Sequence, residues 1–137
     1  MDNVIIREYQ ENDLDTVNRI LLNAFEEEKI GFKDDNITEI VAEIDNQVVG
    51  YLILTKVLNL VKGKNYYLID YVCVDEKKRG MGIGKKLLDY AEDYARSNNA
   101  IYTQLTCSTF RTSAHKLYEK CGYIKRDSIL YRKELEW

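Results

Sequence analysis

The chain has 137 residues and a formal net charge of −3 at pH 7, so residues 1–137 are expected to form one domain around one core. Charges of mixed sign argue against a nucleic-acid-binding protein, which needs a surplus of cations to neutralise phosphates. No apolar run reaches the roughly 20 residues of a membrane span, and the start MDNVIIREYQ lacks a signal-peptide pattern, so we expect no membrane contact and a cytoplasmic location.

The first half of the chain predicts a strand, a helix and a hairpin. Alternation from Val4 to Glu8 indicates the strand, and Asn12 or Asp13 can cap the helix that follows. The acidic segment 25–35 ends that helix, with Gly31 as a break. Strands at 37–44 and 48–57 flank an Asp-Asn turn, which is typical of a hairpin.

The second half predicts a strand at 66–74, antiparallel to the hairpin, and a long helix that ends near 97–99. The next strand, 100–107, should be parallel to the previous one because a helix connects them. A helix at 110–121 then stops at Gly122. Alternation at 123–127 and 129–135 predicts a final antiparallel pair.

The cysteines and the histidine do not form a pattern typical of a disulfide scaffold or a metal site. The three cysteines, Cys73, Cys107 and Cys121, form no Cys-x-x-Cys pair, and His115 is the single histidine. We therefore expect neither a disulfide scaffold nor a metal site, and we interpret the thiols as small apolar residues in a reducing compartment.

The most informative stretch is VCVDEKKRGMGIGKKLL, from Val72 to Leu88. Its three alternating glycines allow unusual backbone angles and close approach of main chain to a ligand. An amphipathic helix begins within the glycines, so its N-terminal N–H groups offer an anion site. Five cations lie nearby: Lys77, Lys78, Arg79, Lys85 and Lys86. The pattern indicates a polyanionic ligand such as a phosphate ester.

Two common phosphate motifs do not fit this stretch. A P-loop requires a second glycine followed by Lys-Ser/Thr, and no glycine here begins that pattern. A dinucleotide fingerprint starting at Gly80 or Gly82 would need glycine or alanine where Lys85 or Leu87 stands.

The run Arg79-x-x-Gly82-x-Gly84 instead resembles the Arg/Gln-x-x-Gly-x-Gly/Ala signature of the GNAT superfamily of acetyl-CoA-dependent N-acetyltransferases. The wider family pattern also resembles Val74 to Gly84, except that Glu76 replaces a proline. The element order agrees over nearly the whole chain. The resemblance implies an α/β fold with a mixed, twisted sheet and helices on both faces.

The resemblance also implies how acetyl-CoA would be held. The strands ending at Val74 and Cys107 would splay around the pantetheine arm, which would pair with the main chain of Val72, Cys73 and Val74. The N–H of Cys73 or Val74 would stabilise the oxyanion. The pyrophosphate would lie on the glycine turn, formed by Arg79, Gly80, Met81, Gly82, Ile83, Gly84 and Lys85.

Asp70 is the candidate for work on the acceptor amine. A lysine-like amine has a pKa of about 10.4 and must lose a proton before it attacks. Asp70 lies inside an apolar strand, at a position similar to that of a strand glutamate in polyamine and aminoglycoside acetyltransferases. It could act as a base, directly or through water, as an amine ligand, or as a structural carboxylate.

Tyr118 is the candidate acid. It matches the tyrosine of the superfamily's second motif, together with Ala114, Leu117, Gly122 and Tyr123. A phenol stays protonated at pH 7 and can donate to a thiolate, although packing is the alternative role. Arg111 replaces the usual asparagine of this motif, where it would meet a phosphate or the acceptor. His115 is either surface or a cofactor contact.

The expected function is acetyl transfer from acetyl-CoA to a primary amine of a small molecule by direct attack. Carboxylates in segment 25–35 and Asp70 favour a cationic acceptor, whereas Arg111 would suit an anionic one. The alternatives are an acetyltransferase for protein N-termini or lysines, a covalent Cys-His enzyme, and a non-catalytic acyl-CoA-binding regulator. A homodimer is also expected.

Overall fold

The protein is described by a computed structural model that covers residues 3–31 and 33–136. The elements of the fold are β1 (Val4–Glu8), a 3-10 turn (Glu11–Asp13), α1 (Leu14–Phe25), β2 (Ile37–Ile44), β3 (Gln47–Asn59), β4 (Lys64–Val74), a second 3-10 turn (Glu76–Lys78), α2 (Ile83–Ser97), β5 (Ala100–Leu105) and α3 (Thr112–Lys120). None of these helices is long and apolar enough to span a bilayer.

The strands form one mixed sheet in the order β1-β2-β3-β4-β5. The first three pairs are antiparallel, and β4 and β5 are parallel, as the connecting helix predicts. The β2–β3 hairpin turns at Asp45 and Asn46, whose φ angles of 50° and 65° suit a tight hairpin turn. The predicted mixed α/β fold is confirmed.

The sheet is covered on both faces. On one face, the α1 residues Val17, Ile20 and Leu21 pack against Tyr51 and Cys73 of the sheet. On the other face, α2 buries an apolar stripe against β2, β3 and β4, formed by Ile83, Leu87, Leu88, Ala91 and Ala95. Apolar side chains at helical spacing account for both helices. The predicted placement of helices on both faces is confirmed.

The predicted final antiparallel pair is wrong. The described residues 123–136 contain no strand, and the large apolar side chains of this segment are mostly exposed: Ile124, Ile129, Leu130, Tyr131 and Leu135. Alternation gives a segment strand character but no partner, and a two-stranded ribbon is marginal without an apolar surface to cover. As a result β5 pairs with β4 alone in the described part of the chain.

Candidate active site

The candidate site lies where β4 extends beyond the end of its pairing with β5. The parallel pairing ends at Ile69 opposite Leu105, whereas β4 continues to Val74. Residues 70–74 therefore have no β5 partner, which agrees with the expected splay, although β5 ends two residues before the predicted Cys107. A bulge accompanies this separation, with Tyr71 at φ 55°. A bulge redirects side chains and terminates pairing.

The glycine turn follows directly. Gly80 and Gly82 both have φ of 80°, in the left-handed region that favours glycine. A Cβ added at either position would meet no atom within 4 Å, so the space above the turn is open. The first backbone hydrogen bond of α2 runs from the Lys86 N–H to the Gly82 carbonyl, at 3.2 Å. The N–H groups of the first turn thus remain available to an anion, and the turn fits a pyrophosphate.

Asp75 fixes the turn to the rest of the fold. Its carboxylate accepts hydrogen bonds from the Lys77 N–H and from the Arg19 guanidinium, both at 3.0 Å. Its own N–H donates to the Val49 carbonyl at 2.7 Å. The backbone bond from Lys77, followed by Arg19, lowers the pKa of this nearly buried carboxyl. The 3-10 turn Glu76–Lys78, which leads into the glycine turn, is therefore held to α1 through Arg19 and to β3 through Val49.

The residues of the turn that are predicted to bind the cofactor differ in how exposed their side chains are. Met81 is 40% exposed, whereas the Ile83 side chain is 2% exposed and belongs to the core, so only its main chain can meet a ligand. Gly84 is buried, and a Cβ there would lie 2.9 Å from Leu117 of α3. Gly84 thus also allows α2 and α3 to pack closely. The Lys85 ammonium lies 2.8 Å from Asp89.

Tyr118 lies on α3 and packs against the core beneath α2. Burial raises the pKa of Tyr118 to about 12, with smaller effects from Cys107, Arg111 and Cys73. Cys73 lies near the end of β4, and Cys107 lies two residues after the end of β5. A group with this pKa is protonated at neutral pH and can donate a hydrogen bond. Its ring also packs edge-on against Tyr123, with 6.3 Å between centroids.

Asp70 lies on β4, one residue before Tyr71 of the bulge. It is exposed, yet desolvation raises the pKa of its carboxyl, and no neighbouring charge in the described part of the chain offsets the effect. A raised pKa suits a carboxylate that accepts a proton from an amine. Asp70 is the register partner of Ile53 on β3.

Arg111 packs in a place that the sequence did not predict. Its guanidinium lies 4.5 Å from the centre of the Phe25 ring and donates to the Ala24 carbonyl at 3.2 Å. Phe25 in turn packs edge-on against Tyr71, with 5.1 Å between ring centroids. Arg111 therefore connects the start of α3 to the end of α1. His115 bonds the Ser108 carbonyl at 2.8 Å, as a loop contact.

A cavity of about 920 Å³ lies beside the bulge, between α1, the sheet and the segment that joins α1 to β2. Tyr71 of the bulge lines it, together with Tyr9 and Tyr51. Its described lining includes six carboxylates: Glu8, Glu27, Glu28, Asp34, Asp35 and Glu39. Two lysines, Lys29 and Lys33, oppose them. The carboxylates of segment 25–35 thus meet at one cavity, apart from Glu26, which caps α1 with φ 59°.

Several residues of this cavity have no signal in the sequence. Glu39 and Tyr51 lie on different strands, and only the β2–β3 pairing brings them together. The positive φ of Tyr71 has no sequence signal because non-glycine residues rarely adopt it. Asp75 could have been found, since aspartate before a short helical turn is a common N-cap.

The Acetyltransferase (GNAT) family model matches residues 3–123. An uncharacterised N-acetyltransferase of Methanocaldococcus jannaschii, MJ1530, is 33% identical over 97% of this chain and 85% of its own. YhfO of Bacillus subtilis, also an uncharacterised N-acetyltransferase, is 31% identical over 61% of this chain. The chain spans about half of YhfO's length, 56%.

Among solved structures, a transcriptional regulator from Bacillus halodurans C-125 superposes with a TM-score of 0.87. It is 26% identical, and the match covers 97% of this chain and 100% of the other. The match of the family model over most of the chain agrees with the signature at the glycine turn and with the mixed sheet. The chain belongs to the GNAT family of acetyltransferases.

Proposed function

We propose that this protein is an N-acetyltransferase that moves an acetyl group from acetyl-CoA to a primary amine of a small molecule. GNAT acetyltransferases use acetyl-CoA in general. The observation that carries the proposal is the unpaired end of β4, residues 70–74, which leads from the glycine turn to an acidic cavity. Tyr71 of this stretch lines the cavity, so the anion site at the turn and the acidic cavity adjoin the same end of β4.

The residues of the turn fit the cofactor. The pyrophosphate would lie on the N–H groups around Gly82, with Arg79 and Lys85 nearby. The main chain of Val72, Cys73 and Val74 would accept the pantetheine arm along the open edge of β4. Acetyl-CoA supplies the acetyl group as a thioester, which is open to attack by an amine.

Two side chains would handle protons during the transfer. As the acceptor nitrogen bonds to the acetyl carbon, Asp70 takes the proton that the amine loses, directly or through water. The carbon–sulfur bond breaks, and Tyr118 gives a proton to the departing sulfur. The N–H of Cys73 or Val74 stabilises the negative charge on the acetyl oxygen.

The cysteines support direct attack over a covalent route. Burial raises the pKa of Cys73 to about 12 and also raises those of Cys107 and Cys121. A thiol attacks as its thiolate, so these shifts disfavour all three as nucleophiles at neutral pH.

The acceptor is proposed to be a cationic small amine. Six carboxylates against two lysines line the described part of the cavity, which would attract a cation and raise its local concentration. Arg111 does not oppose this, since it packs on Phe25 and contacts the Ala24 carbonyl. A cavity of about 920 Å³ between α1 and the sheet suits a small molecule more than a protein lysine.

Release of CoA from acetyl-CoA, measured against a panel of amines, tests the proposal. We expect turnover with cationic primary amines and little with anionic ones. The second candidate is an acyl-CoA-binding regulator, favoured by the similarity to the solved transcriptional regulator. Acetyl-CoA binding without turnover on any amine or peptide of the panel would support that candidate and overturn the enzyme.

We also propose that two copies pair. Among the described residues, each copy has no partner for the outer edge of β5 and has an exposed apolar segment, 123–136, so two copies could satisfy both features reciprocally. Light scattering tests this: Ile129→Asp should give a monomer, and Val61→Asp, at an even more exposed residue between β3 and β4, should leave a dimer. Monomeric wild-type protein would contradict the pairing.

Three free thiols support a reducing compartment such as the cytoplasm.

A further inference from the structure

The wall of the cavity holds a small cage of side chains around one ammonium group. The cage consists of Tyr9, Tyr51 and Glu39, and the ammonium belongs to Lys29. The Lys29 Nζ lies 3.4 Å from the Glu39 carboxylate and 4.8 Å from the centre of the Tyr9 ring. Aromatic rings and a carboxylate are the groups that recognise organic cations in proteins.

The cage is rigid without Lys29. Tyr51 is fully buried, and its hydroxyl donates to Glu39 at 2.6 Å. Tyr9 packs edge-on against Tyr51, with 6.4 Å between ring centroids. These contacts hold the carboxylate and the Tyr9 ring from the sheet side, so the cage does not depend on Lys29 for its shape.

Lys29 itself comes from a less regular part of the chain. It lies between the end of α1 at Phe25 and the start of β2 at Ile37, in a segment without helix or strand in its described residues. One backbone bond, from the Lys29 N–H to the Asn18 side chain at 2.7 Å, ties it to α1. The Lys29 side chain belongs to no helix or strand, so its displacement breaks none of these elements.

The cage is in register with the proposed reaction centre. Glu39 on β2 pairs with Ile53 on β3, and Ile53 pairs with Asp70 on β4. Neighbouring strands are about 4.8 Å apart, so the two carboxylate-bearing residues are separated by roughly 10 Å of sheet. An apolar side chain lies between two anionic ones. A short alkyl chain with an ammonium at each end has the complementary pattern.

We propose that the cage of Tyr9, Tyr51 and Glu39 binds the distal ammonium of a diamine acceptor, and that Lys29 occupies this subsite until the acceptor displaces it. The proposal rests on the proposed function, because it assigns the reacting amine to the Asp70 end. Lys29 then acts as an internal competitor for the subsite. An acceptor with two cationic groups can displace it with its second ammonium, whereas an acceptor with one cationic group gains little from doing so.

Calorimetric binding of 1,5-diaminopentane and of 1-aminopentane to the whole protein tests the proposal. Lys29→Ala should tighten diamine binding by about tenfold, the scale of one cation–π contact together with one ion pair, and should change monoamine binding far less. Lys33→Ala is the matched control, because Lys33 lines the same cavity and carries the same charge outside the cage. Its loss acts only through the field of the cavity, so the gain in binding free energy should be about twofold larger for the doubly charged diamine and smaller than the gain from Lys29→Ala.

Adding Glu39→Gln to Lys29→Ala should cancel the diamine advantage. The proposal would be overturned if Lys29→Ala changed the affinity for each amine by the same factor as Lys33→Ala does. Lys29 would then act only through its charge in the cavity. Failure of every variant to bind the diamine would also overturn it. The binding measurement needs no acetyl transfer, so absence of CoA release alone would refute the proposed enzyme and leave this result standing.

Discussion

The glycine turn follows the unpaired end of β4, and the acidic cavity adjoins the same stretch at Tyr71, yet the two are built in different ways. The turn consists of consecutive residues, and the proposed cofactor contacts come from its main chain, so its geometry depends on glycine at Gly80 and Gly82. The cavity consists of side chains from α1, from two strands and from an irregular segment. A local backbone site leaves a sequence signature, whereas a site made of distant side chains leaves almost none.

The largest effect should come from breaking the turn. In Gly82→Val, a β-branched residue would have to adopt φ near 80°, at a cost of roughly 1–3 kcal/mol, and would close the open space above the turn. Acetyl-CoA binding, measured by calorimetry, should become undetectable.

Gly63→Val is the matched control for that change. Gly63 has φ of 64° and open surroundings in the β3–β4 loop, so it carries similar strain away from the site. Both variants should lose similar thermal stability, and only Gly82→Val should lose the cofactor. Equal retention of acetyl-CoA by both would show that the turn is not the cofactor site.

The next effect concerns Tyr118, the proposed acid. Tyr118→Phe should lower kcat by about 10²–10⁴ if proton donation is lost, with little change in cofactor affinity. Tyr123→Phe is the control, because that partly buried phenol packs against Tyr118 and bonds Thr103 at 2.8 Å. Unchanged kcat in Tyr118→Phe would leave Tyr118 with a packing role.

These residues also show which parts of the fold and the site could be predicted from the sequence. Periodicity predicted the strands and helices up to Gly122, because burial on one face imposes a repeat of 2 or 3.6. The same alternation misled at 129–135, where a repeat indicates strand character but cannot supply a neighbour. Arg79, Gly82 and Gly84 identified the turn because the backbone there constrains residue type.

The cavity was predicted only in outline. The acidic composition of segment 25–35 indicated charge, but Glu39 and Tyr51 gave no signal because their meeting depends on the β2–β3 register. Arg111 was expected near the cofactor from its place in the motif. Its contact with Phe25, 86 residues away in sequence, depends on how α3 packs against α1.

A smaller effect is expected from Asp70, and it separates chemistry from stability. Desolvation raises the pKa of Asp70 in the folded chain above its unfolded value. The folded state thus binds the proton more tightly, so this group favours folding below the unfolded pKa and loses that contribution as pH rises through the folded pKa. Asp70→Asn should raise Tm slightly at pH 7 and leave it unchanged well below pH 3.8.

The same variant should lower kcat/KM for the amine by about 10²-fold or more if Asp70 is the base, and should remove the acidic limb of the pH–rate profile. Glu76→Gln serves as control, because it removes a carboxylate beyond the end of β4. A Tm that falls at pH 7, with the acidic limb retained, would identify Asp70 as a structural carboxylate.

The smallest effect should come from Arg111, and it sharpens the boundary between the two regions. Arg111→Gln removes the cation from the Phe25 ring and weakens the bond to the Ala24 carbonyl, so stability should fall by about 1 kcal/mol. Arg132→Gln, at a residue 74% exposed, should have no measurable effect. Acetyl-CoA affinity should stay the same in both variants, since the guanidinium belongs to the α1–α3 contact. A clear loss of acetyl-CoA affinity in Arg111→Gln, with stability unchanged, would instead assign Arg111 to the cofactor and extend the turn's site across to α3.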